Sequence, residues 1–399
     1  MIERAYIIDA VRSPIGKYGG KLGNIRPDDL LAMMIKAMIA RNPKVDVQLI
    51  EDVIAGATNQ AGEDCRDVAR MAALLAGLPV TVGGNTVNRL CASGMQAVMD
   101  AARAIMCGEG LFYIAGGVES MTRAPYIMAK SNGAFSRNME LIDSTIGWRF
   151  TNPTLAAQYA PYSMGETAEI IATRWGISRE QQDVFAWASQ QKYQTALDKG
   201  IWQEEIVPIA LSANKDTNYF AKDEQPRQTS LERLAALPAA FVKNGTVTAG
   251  NSSAINDGAA AVLLASEKAV QLFDLTPIAS IKSMAIAGVH PDIMGIGPVP
   301  ATQKALSRAG ISLKDIGITE LCEAFASQCI ACINDLQLDP ATVNMHGGAI
   351  ALGNPLGSSG ARMITTLVHE MRRSHQQFGL ATMCVGVGQG AAMVLELMG

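Results

Sequence analysis

A chain of 399 residues with 49% apolar composition can bury more than one core. Single cores stop growing at about 250–300 residues, so two or more domains are expected. A formal charge of -4 gives no basic patch for nucleic acid or an anionic membrane, and no apolar run approaches the roughly 18–20 residues of a membrane span.

Chain order gives the architecture. The N-terminal Met1-Ile-Glu-Arg leads into a strand at Tyr6-Ile-Ile-Asp without a basic region or a long apolar one, so a cytoplasmic location is expected. A helical stretch from Asp28 to Ile39, a strand at Ile50–Gly56, a helix over Gly94–Met106 and a buried strand over Leu111–Gly117 follow. This alternation predicts α/β layering. From Met121 to about Thr248 the character changes to Asn, Ser, Asp and Thr clusters around an acidic, helix-rich middle from Glu166 to Lys199. The segment reads as a loop-bearing insertion suited to ligand recognition. The C-terminal part then repeats the first plan. Gly357-Ser-Ser-Gly360 opens a helix as Cys91-Ala-Ser-Gly94 does, and Leu380–Gly388 supplies a glycine-ended strand. Two duplicated halves would bring facing helix N-termini to a shared site. The expected boundaries are 1–120 for the N-terminal half, completed by about 249–275, then 121–248 for the inserted loop domain and 276–399 for the C-terminal half.

Seven cysteines without framework spacing read as free thiols in a reducing compartment. Cys91 falls where a strand-like Thr86-Val-Asn-Arg-Leu meets a helix start, and the helix dipole there is expected to favour the thiolate. Small neighbours Ala92, Ser93 and Gly94 admit a carbonyl, and first-turn N–H groups can hold an oxyanion. Cys384 precedes Gly386, Gly388 and Gly390, which leave backbone donors beside a second thiol suited to moving a proton. Cys329 and Cys332 form a Cys-x-x-Cys without a second ligand pair and read as packing residues, so no metal site is assigned.

Three stretches carry a resemblance: Val87-Asn-Arg-Leu-Cys91-Ala-Ser-Gly94-Met, Gly347-Gly-Ala-Ile-Ala-Leu-Gly-Asn354-Pro-Leu-Gly-Ser-Ser-Gly360, and Met383-Cys384-Val-Gly386-Val-Gly-Gln-Gly390. With Asn59-Gln-Ala-Gly-Glu-Asp64, Ala115-Gly-Gly-Val-Glu-Ser-Met121, Ser163–Glu169, Gly245–Asn251, Asn256–Ala259 and Met294–Pro298 they resemble the thiolase family over essentially the whole chain. The Asn59–Asp64 block and Thr145-Ile-Gly-Trp-Arg-Phe150 look most like the branch acting on 3-oxoadipyl-CoA.

The resemblance implies a five-layered αβαβα fold with a loop domain, in homodimers or homotetramers. It implies coenzyme A as co-substrate, with no tightly bound cofactor. Cys91 would attack the 3-keto carbonyl, acetyl-CoA would leave as an enolate protonated by Cys384, and CoA would collect the acyl group. The N–H groups of Cys91 and Gly386 would hold the oxyanion. Met164, Ser230, Ala249, Ser253, Met294 and Phe325 would line the CoA channel, with Arg227 at the nucleotide end; Arg123 and Arg149 are candidates for a dicarboxylate tail.

Two positions depart from the family. Asn354 stands where thiolases carry the histidine that takes the proton of the nucleophile, and Cys322 where they carry an asparagine that holds an oxyanion-hole water. An impaired thiolase is therefore expected. The alternatives are a non-catalytic or trapping CoA-ester-binding homologue and a biosynthetic acetoacetyl-CoA thiolase. Related ketosynthases with Asn at the place of Asn354 have a histidine at that of Cys322, which demotes a ketosynthase reading. None of His290, His346, His369 and His375 falls in a catalytic motif; His346, beside Gly347, reads as a residue capping backbone groups.

Overall fold

The computed structural model describes residues 3–131, 133–135, 137, 139–211 and 218–398. Met1 and Ile2, read above with the first strand, lie outside them.

The N-terminal half is built from strands β1 (Ala5–Arg12), β2 (Ile50–Gly56), β3 (Gly83–Val87), β4 (Phe112–Ser120) and β5 (Asn256–Ser266), with helices α1 (Pro27–Arg41), α2 (Val68–Ala76) and α3 (Ser93–Met106). Strands β4 and β5 are buried at every residue, as layers covered on both faces require, so their apolar runs show no alternation. Helix α1 starts with proline in its first turn, where no N–H partner is lost, and Asp28 and Asp29 complement its dipole.

The segment between β4 and β5 contains two small two-stranded sheets and the helices α4 (Met164–Arg174) and α5 (Arg179–Asp198). Both helices open with complete capping boxes, Ser163 with Glu166 and Ser178 with Gln181.

The C-terminal half comprises β6 (Ala279–Gly288), β7 (Ile318–Leu321), β8 (Phe378–Val385) and β9 (Gln389–Leu397), with helices α6 (Pro298–Ala309), α7 (Ala326–Leu336) and α8 (Leu356–Ser374). Its pairing repeats that of the first half. Strand β2 runs parallel to β4, which is antiparallel to β5. Likewise β7 runs parallel to β8, which is antiparallel to β9. A parallel bridge from Thr319 to Val343 stands where β3 lies beside β2.

The strand order is β7-β8-β9-β6-β1-β5-β4-β2-β3, and the halves meet through two pairings, Tyr6 with Ser280 and Ile7 with Ala279. Helices α3 and α8 lie between the two half-sheets in one core cluster that includes Met95, Met99, Met363, Leu367 and Met383. Helices α1 and α2 cover the outer face of the first half-sheet, and α6 and α7 that of the second. The result is the five-layered arrangement of two duplicated halves.

The helix N-termini meet because glycine allows backbone to touch backbone. A Cβ on Gly117 would lie 2.0 Å from the Gly357 carbonyl oxygen, and one on Gly360 2.4 Å from the Met95 nitrogen. This packing sets the starts of α3 and α8 side by side.

Candidate active site

Cys91 lies two residues before α3, and Asn354 lies two residues before α8. The duplication therefore sets them at equivalent positions of the two halves. The Cys91 turn is fixed by its own side chains: Asn88 Oδ1 accepts from Leu90 N at 2.8 Å, while Ser93 Oγ donates to the Leu90 carbonyl at 2.6 Å and accepts from Arg89 N at 2.9 Å. Leu90 takes a left-handed φ of 48°, uncommon for a residue with a side chain, and the bend it makes presents Cys91.

The backbone N–H of Gly386 and that of Cys91 itself lie against the Cys91 thiol and favour its ionised form. A Cβ on Gly386 would sit 3.2 Å from Leu90 Cδ1 and 3.6 Å from Met164 Sδ, so this glycine packs directly on the cysteine turn.

The expected thiolate-favouring environment needs correction. Burial pushes the Cys91 thiol up, the two N–H donors offset only part of this, and the Glu119 carboxylate adds to the rise. A helix start favours the thiolate, but desolvation is the larger effect here. Cys91 alkylation by iodoacetamide, followed by peptide mass mapping, should therefore still be climbing above about pH 9, beyond the ordinary thiol range. A plateau below pH 8 would contradict this environment.

Asn354 is buried and both ends of its carboxamide are engaged. Its Nδ2 donates to Ser253 Oγ at 3.3 Å, and its Oδ1 accepts from Ser359 Oγ at 2.7 Å; its backbone N–H donates to Asn256 Oδ1 at 3.0 Å. A carboxamide held this way donates and accepts hydrogen bonds but does not take up a proton at neutral pH.

Cys322 follows β7, its N–H bonded to the Thr382 carbonyl at 3.0 Å. Burial pushes its thiol up to about 12, and the nearby Cys91 adds to the rise. Cys384 is the penultimate residue of β8 and lies in a buried cluster with Met294, Phe325, Ala324, Val247 and Ala168, against which Met164 packs. Its thiol is also driven well up, first by burial and then by Cys322 and Cys91. It keeps its proton, so it is suited to donate one. The site thus combines a thiol beside the Gly386 N–H, a second buried thiol, and the Asn354 carboxamide.

Residues 5–268 match the family described as thiolase, N-terminal domain, and residues 275–397 match thiolase, C-terminal domain. The chain belongs to the thiolase family. It is 53% identical over 399 residues to the 3-oxoadipyl-CoA/3-oxo-5,6-dehydrosuberyl-CoA thiolase of Escherichia coli K12, covering 99% of this chain and 100% of that one. It is 52% identical, with the same coverage, to the beta-ketoadipyl-CoA thiolase of Pseudomonas aeruginosa. Among solved structures, human mitochondrial 3-ketoacyl-CoA thiolase in complex with CoA superposes with a TM-score of 0.93 at 39% identity, over 100% of this chain and 99% of that one.

In this thiolase the segment returning from the insertion pairs with the turn after β7. Ser252 bridges Phe325, Ser253 N donates to the Ala324 carbonyl at 2.9 Å, and Ala326 N to that of Asn251 at 2.9 Å. Ser253 thereby joins Met164, Met294 and Phe325 near the thiols. Arg227 and Ala249 lie at the surface, joined by an Arg227 Nη1 bond to the Ala249 carbonyl at 3.3 Å. Ser230 caps a short helix over Leu231–Ala235.

Other expectations fall elsewhere. The guanidinium of Arg123 is already bound bidentately by Glu63, whereas Arg149 donates to the Ser144 carbonyl at 3.2 Å. His346 binds Glu370 at 2.6 Å, near the C-terminal end of α8, so it caps a side chain rather than backbone groups. That point is 14 residues into the helix, about 21 Å along its axis from the end beside Asn354. Cys329 and Cys332 are buried on α7, directed to the carbonyls of Cys322 and Gly295.

Glu119 was not singled out as a site residue. It is buried, its carboxylate accepting from Thr58 N, Thr58 Oγ1, Asn59 N and Gly357 N, so it joins the loop after β2 to the start of α8. Burial raises its pKa. The available signal was a carboxylate near the end of a strand, Phe112–Ser120, that is buried throughout.

Proposed function

We propose that this chain is a CoA-dependent acyltransferase that cleaves a 3-oxoacyl-CoA of the 3-oxoadipyl type, slowly, through an acyl group on Cys91. The observation that carries the reading is the Gly386 loop packed directly on the Cys91 turn and on Met164, with Cys384 in the buried cluster that Met164 joins. A 3-keto carbonyl placed there would meet the thiol and the oxyanion donors together. Attack forms the Cys91 thioester and breaks the bond between C2 and C3. The Cys91 proton passes to water as the thiol attacks, and the acetyl-CoA enolate takes a proton from Cys384; the CoA thiol then gives its proton to the Cys384 thiolate and takes the acyl group, and Cys91 regains a proton from water.

The weak step is removal of the Cys91 proton, because Asn354 cannot accept it and burial holds it on sulfur. General-base help is worth roughly 10²–10⁴ in rate. Cys322 gives the same corner a thiol in place of the expected water-holding amide. The names of the relatives support the 3-oxoadipyl branch and the CoA co-substrate. Met164, Ser253, Met294 and Phe325 would line the pantetheine path, with Ala249, Ser230 and Arg227 toward the surface.

A second reading, a CoA-thioester-binding protein without turnover, is favoured by the full engagement of Asn354 with Ser253 and Ser359. The test that separates the two is a single-turnover reaction with 3-oxoadipyl-CoA followed by intact mass. Slow growth of an acyl adduct on Cys91, lost in Cys91→Ala and discharged by added CoA, supports the enzyme. Tight thioester binding with no adduct over hours supports the binding protein.

Self-association into dimers or tetramers accompanies either reading. Strand β3 forms one edge of the sheet, and Met71, Leu74, Leu75 and Val80 are exposed in the neighbouring α2 and the connection to β3. The small hairpin of Tyr126–Met128 and Leu141–Asp143 exposes Tyr126, Met128 and Leu141. Among the described residues no helix is long and apolar enough to cross a membrane; a cytoplasmic location remains part of this proposal.

A further inference from the structure

The Gly386 N–H reaches Cys91 from the other half of the molecule, on the short loop between β8 and β9. Val385 pairs with Gln389 at the base of this loop, and Val387 and Gly388 take φ values of 63° and 81° at its tip. On one side the loop is anchored closely. The Gly388 carbonyl accepts from Val289 N at 2.8 Å, and a Cβ on Gly390 would lie 1.9 Å from the Gly297 carbonyl oxygen. On the side facing Cys91 a side-chain tie holds it: Arg89 Nη1 donates to Gln389 Oε1 at 3.0 Å.

The Arg89 guanidinium is itself oriented. Its Nε donates to Gln96 Oε1 at 2.7 Å, Gln96 Nε2 donates to Asp100 Oδ1 at 2.6 Å, and Arg103 holds the same Asp100 oxygen at 2.7 Å. Gln96, Asp100 and Arg103 follow one another at spacings of four and three residues, along one face of α3. The Arg89 backbone N–H is fixed on Ser93 Oγ in the turn that presents Cys91. One residue therefore belongs to the nucleophile's turn, takes its direction from the nucleophile's helix, and grips the loop that supplies the donor.

We infer that Arg89 is a positioning residue: through Gln389 it holds the Gly386 loop of the C-terminal half in register with the Cys91 turn of the N-terminal half. Its planar fork uses two nitrogens in different directions, which a lysine ammonium on a flexible stem does not reproduce. The charge alone is not what the loop needs.

The inference rests on Cys91 being the acyl-accepting thiol, so the test begins with a reaction that needs no thioester. Iodoacetamide alkylation of Cys91 is measured against pH for the full-length wild type and for Arg89→Ala, Arg89→Lys and Gln389→Ala, with circular dichroism to verify folding. In Arg89→Ala and Gln389→Ala the profile is expected to move to higher pH, because the thiolate loses a well-placed donor. Arg89→Lys should behave like Arg89→Ala although it keeps the charge, and Gln389→Ala should match although it keeps the arginine. Acylation of Cys91 by 3-oxoadipyl-CoA should fall by up to roughly 10²-fold, the scale of an ångström-size misplacement, with CoA affinity within about two-fold of wild type.

If Arg89→Ala fails to fold, Gln389→Ala carries the test alone. Folded variants with unchanged alkylation profiles overturn the inference, as does full rescue by Arg89→Lys. Shifted alkylation profiles with no acyl adduct in any protein, wild type included, uphold the positioning role and instead overturn the acyl-transfer reading.

Discussion

Replacing Asn354 with histidine is expected to raise thiolysis of 3-oxoadipyl-CoA by roughly 10²–10⁴-fold, the usual contribution of a positioned general base. The thiol of Cys91 is held in its protonated form by burial, and the Asn354 carboxamide, engaged by Ser253 and Ser359, does not take that proton. An imidazole at the same Cα would stand two residues before the helix, where Ser253 Oγ and Ser359 Oγ now hold the carboxamide. One serine can orient one ring nitrogen while the other nitrogen faces the thiol. Thiolysis is read as loss of the 3-oxoacyl thioester with CoA in excess. The gain should lie in kcat, with KM changed little, because the residue would act on the proton and not on the pantetheine. The acid limb of the rate profile should acquire an inflection at about 6.5, the ordinary histidine value. Cys322→Asn alone should change little, since it leaves the base missing; added to Asn354→His it should raise the rate further. If the wild type already turns over rapidly and histidine adds less than a few-fold, another group takes the proton and the impairment argument fails.

The two thiols were legible because each sits in local sequence that shows its setting. Cys91 lies between a strand-like run and a helix start, and Cys384 is followed by three alternating glycines. The duplication was visible as two glycine-bearing helix starts, though the pairing pattern that demonstrates it, including the Thr319 to Val343 bridge, depends on partners far apart in the chain. Protonation was misread for a definite reason. A helix start is a local feature, whereas burial and the Glu119 charge, which raise the Cys91 thiol, depend on parts of the chain far from it in sequence. Glu119 was missed likewise, since its four donors come from residues 58, 59 and 357. His346 sits only eight positions before Asn354, yet the chain passes through Gly347 and the short helix Ala349–Leu352 and places it near the far end of α8. Proximity in sequence was a poor guide to proximity in the site.

Arg12→Ala is expected to destabilise the protein by about 3–5 kcal/mol, the usual result of removing one partner from a buried ion pair. Arg12 is fully buried at the end of β1. Its Nη1 and Nη2 hold Asp223 at 2.7 and 3.0 Å, its Nε holds Glu205, and the Trp202 ring lies 5.2 Å from the guanidinium carbon. Both acids come from the inserted segment, so this arginine ties the insertion to the central sheet. Asp223 also accepts from Ile15 N at 2.7 Å, and Thr366 of α8 donates to Glu205 at 3.4 Å. Removing Arg12 leaves two carboxylates facing each other in a dry interior without a counter-ion, which costs more than the lost hydrogen bonds themselves. Urea unfolding at fixed protein concentration measures the loss. Changing all three groups together, Arg12→Met with Glu205→Gln and Asp223→Asn, should recover part of it, because no charge is then stranded. CoA affinity should weaken in Arg12→Ala as well, since the same segment leads back through residues 227–253 to Ser253 and the proposed pantetheine path. A midpoint within 0.5 kcal/mol of wild type would mean that water reaches the two acids and that the insertion is held to β1 by its apolar contacts alone.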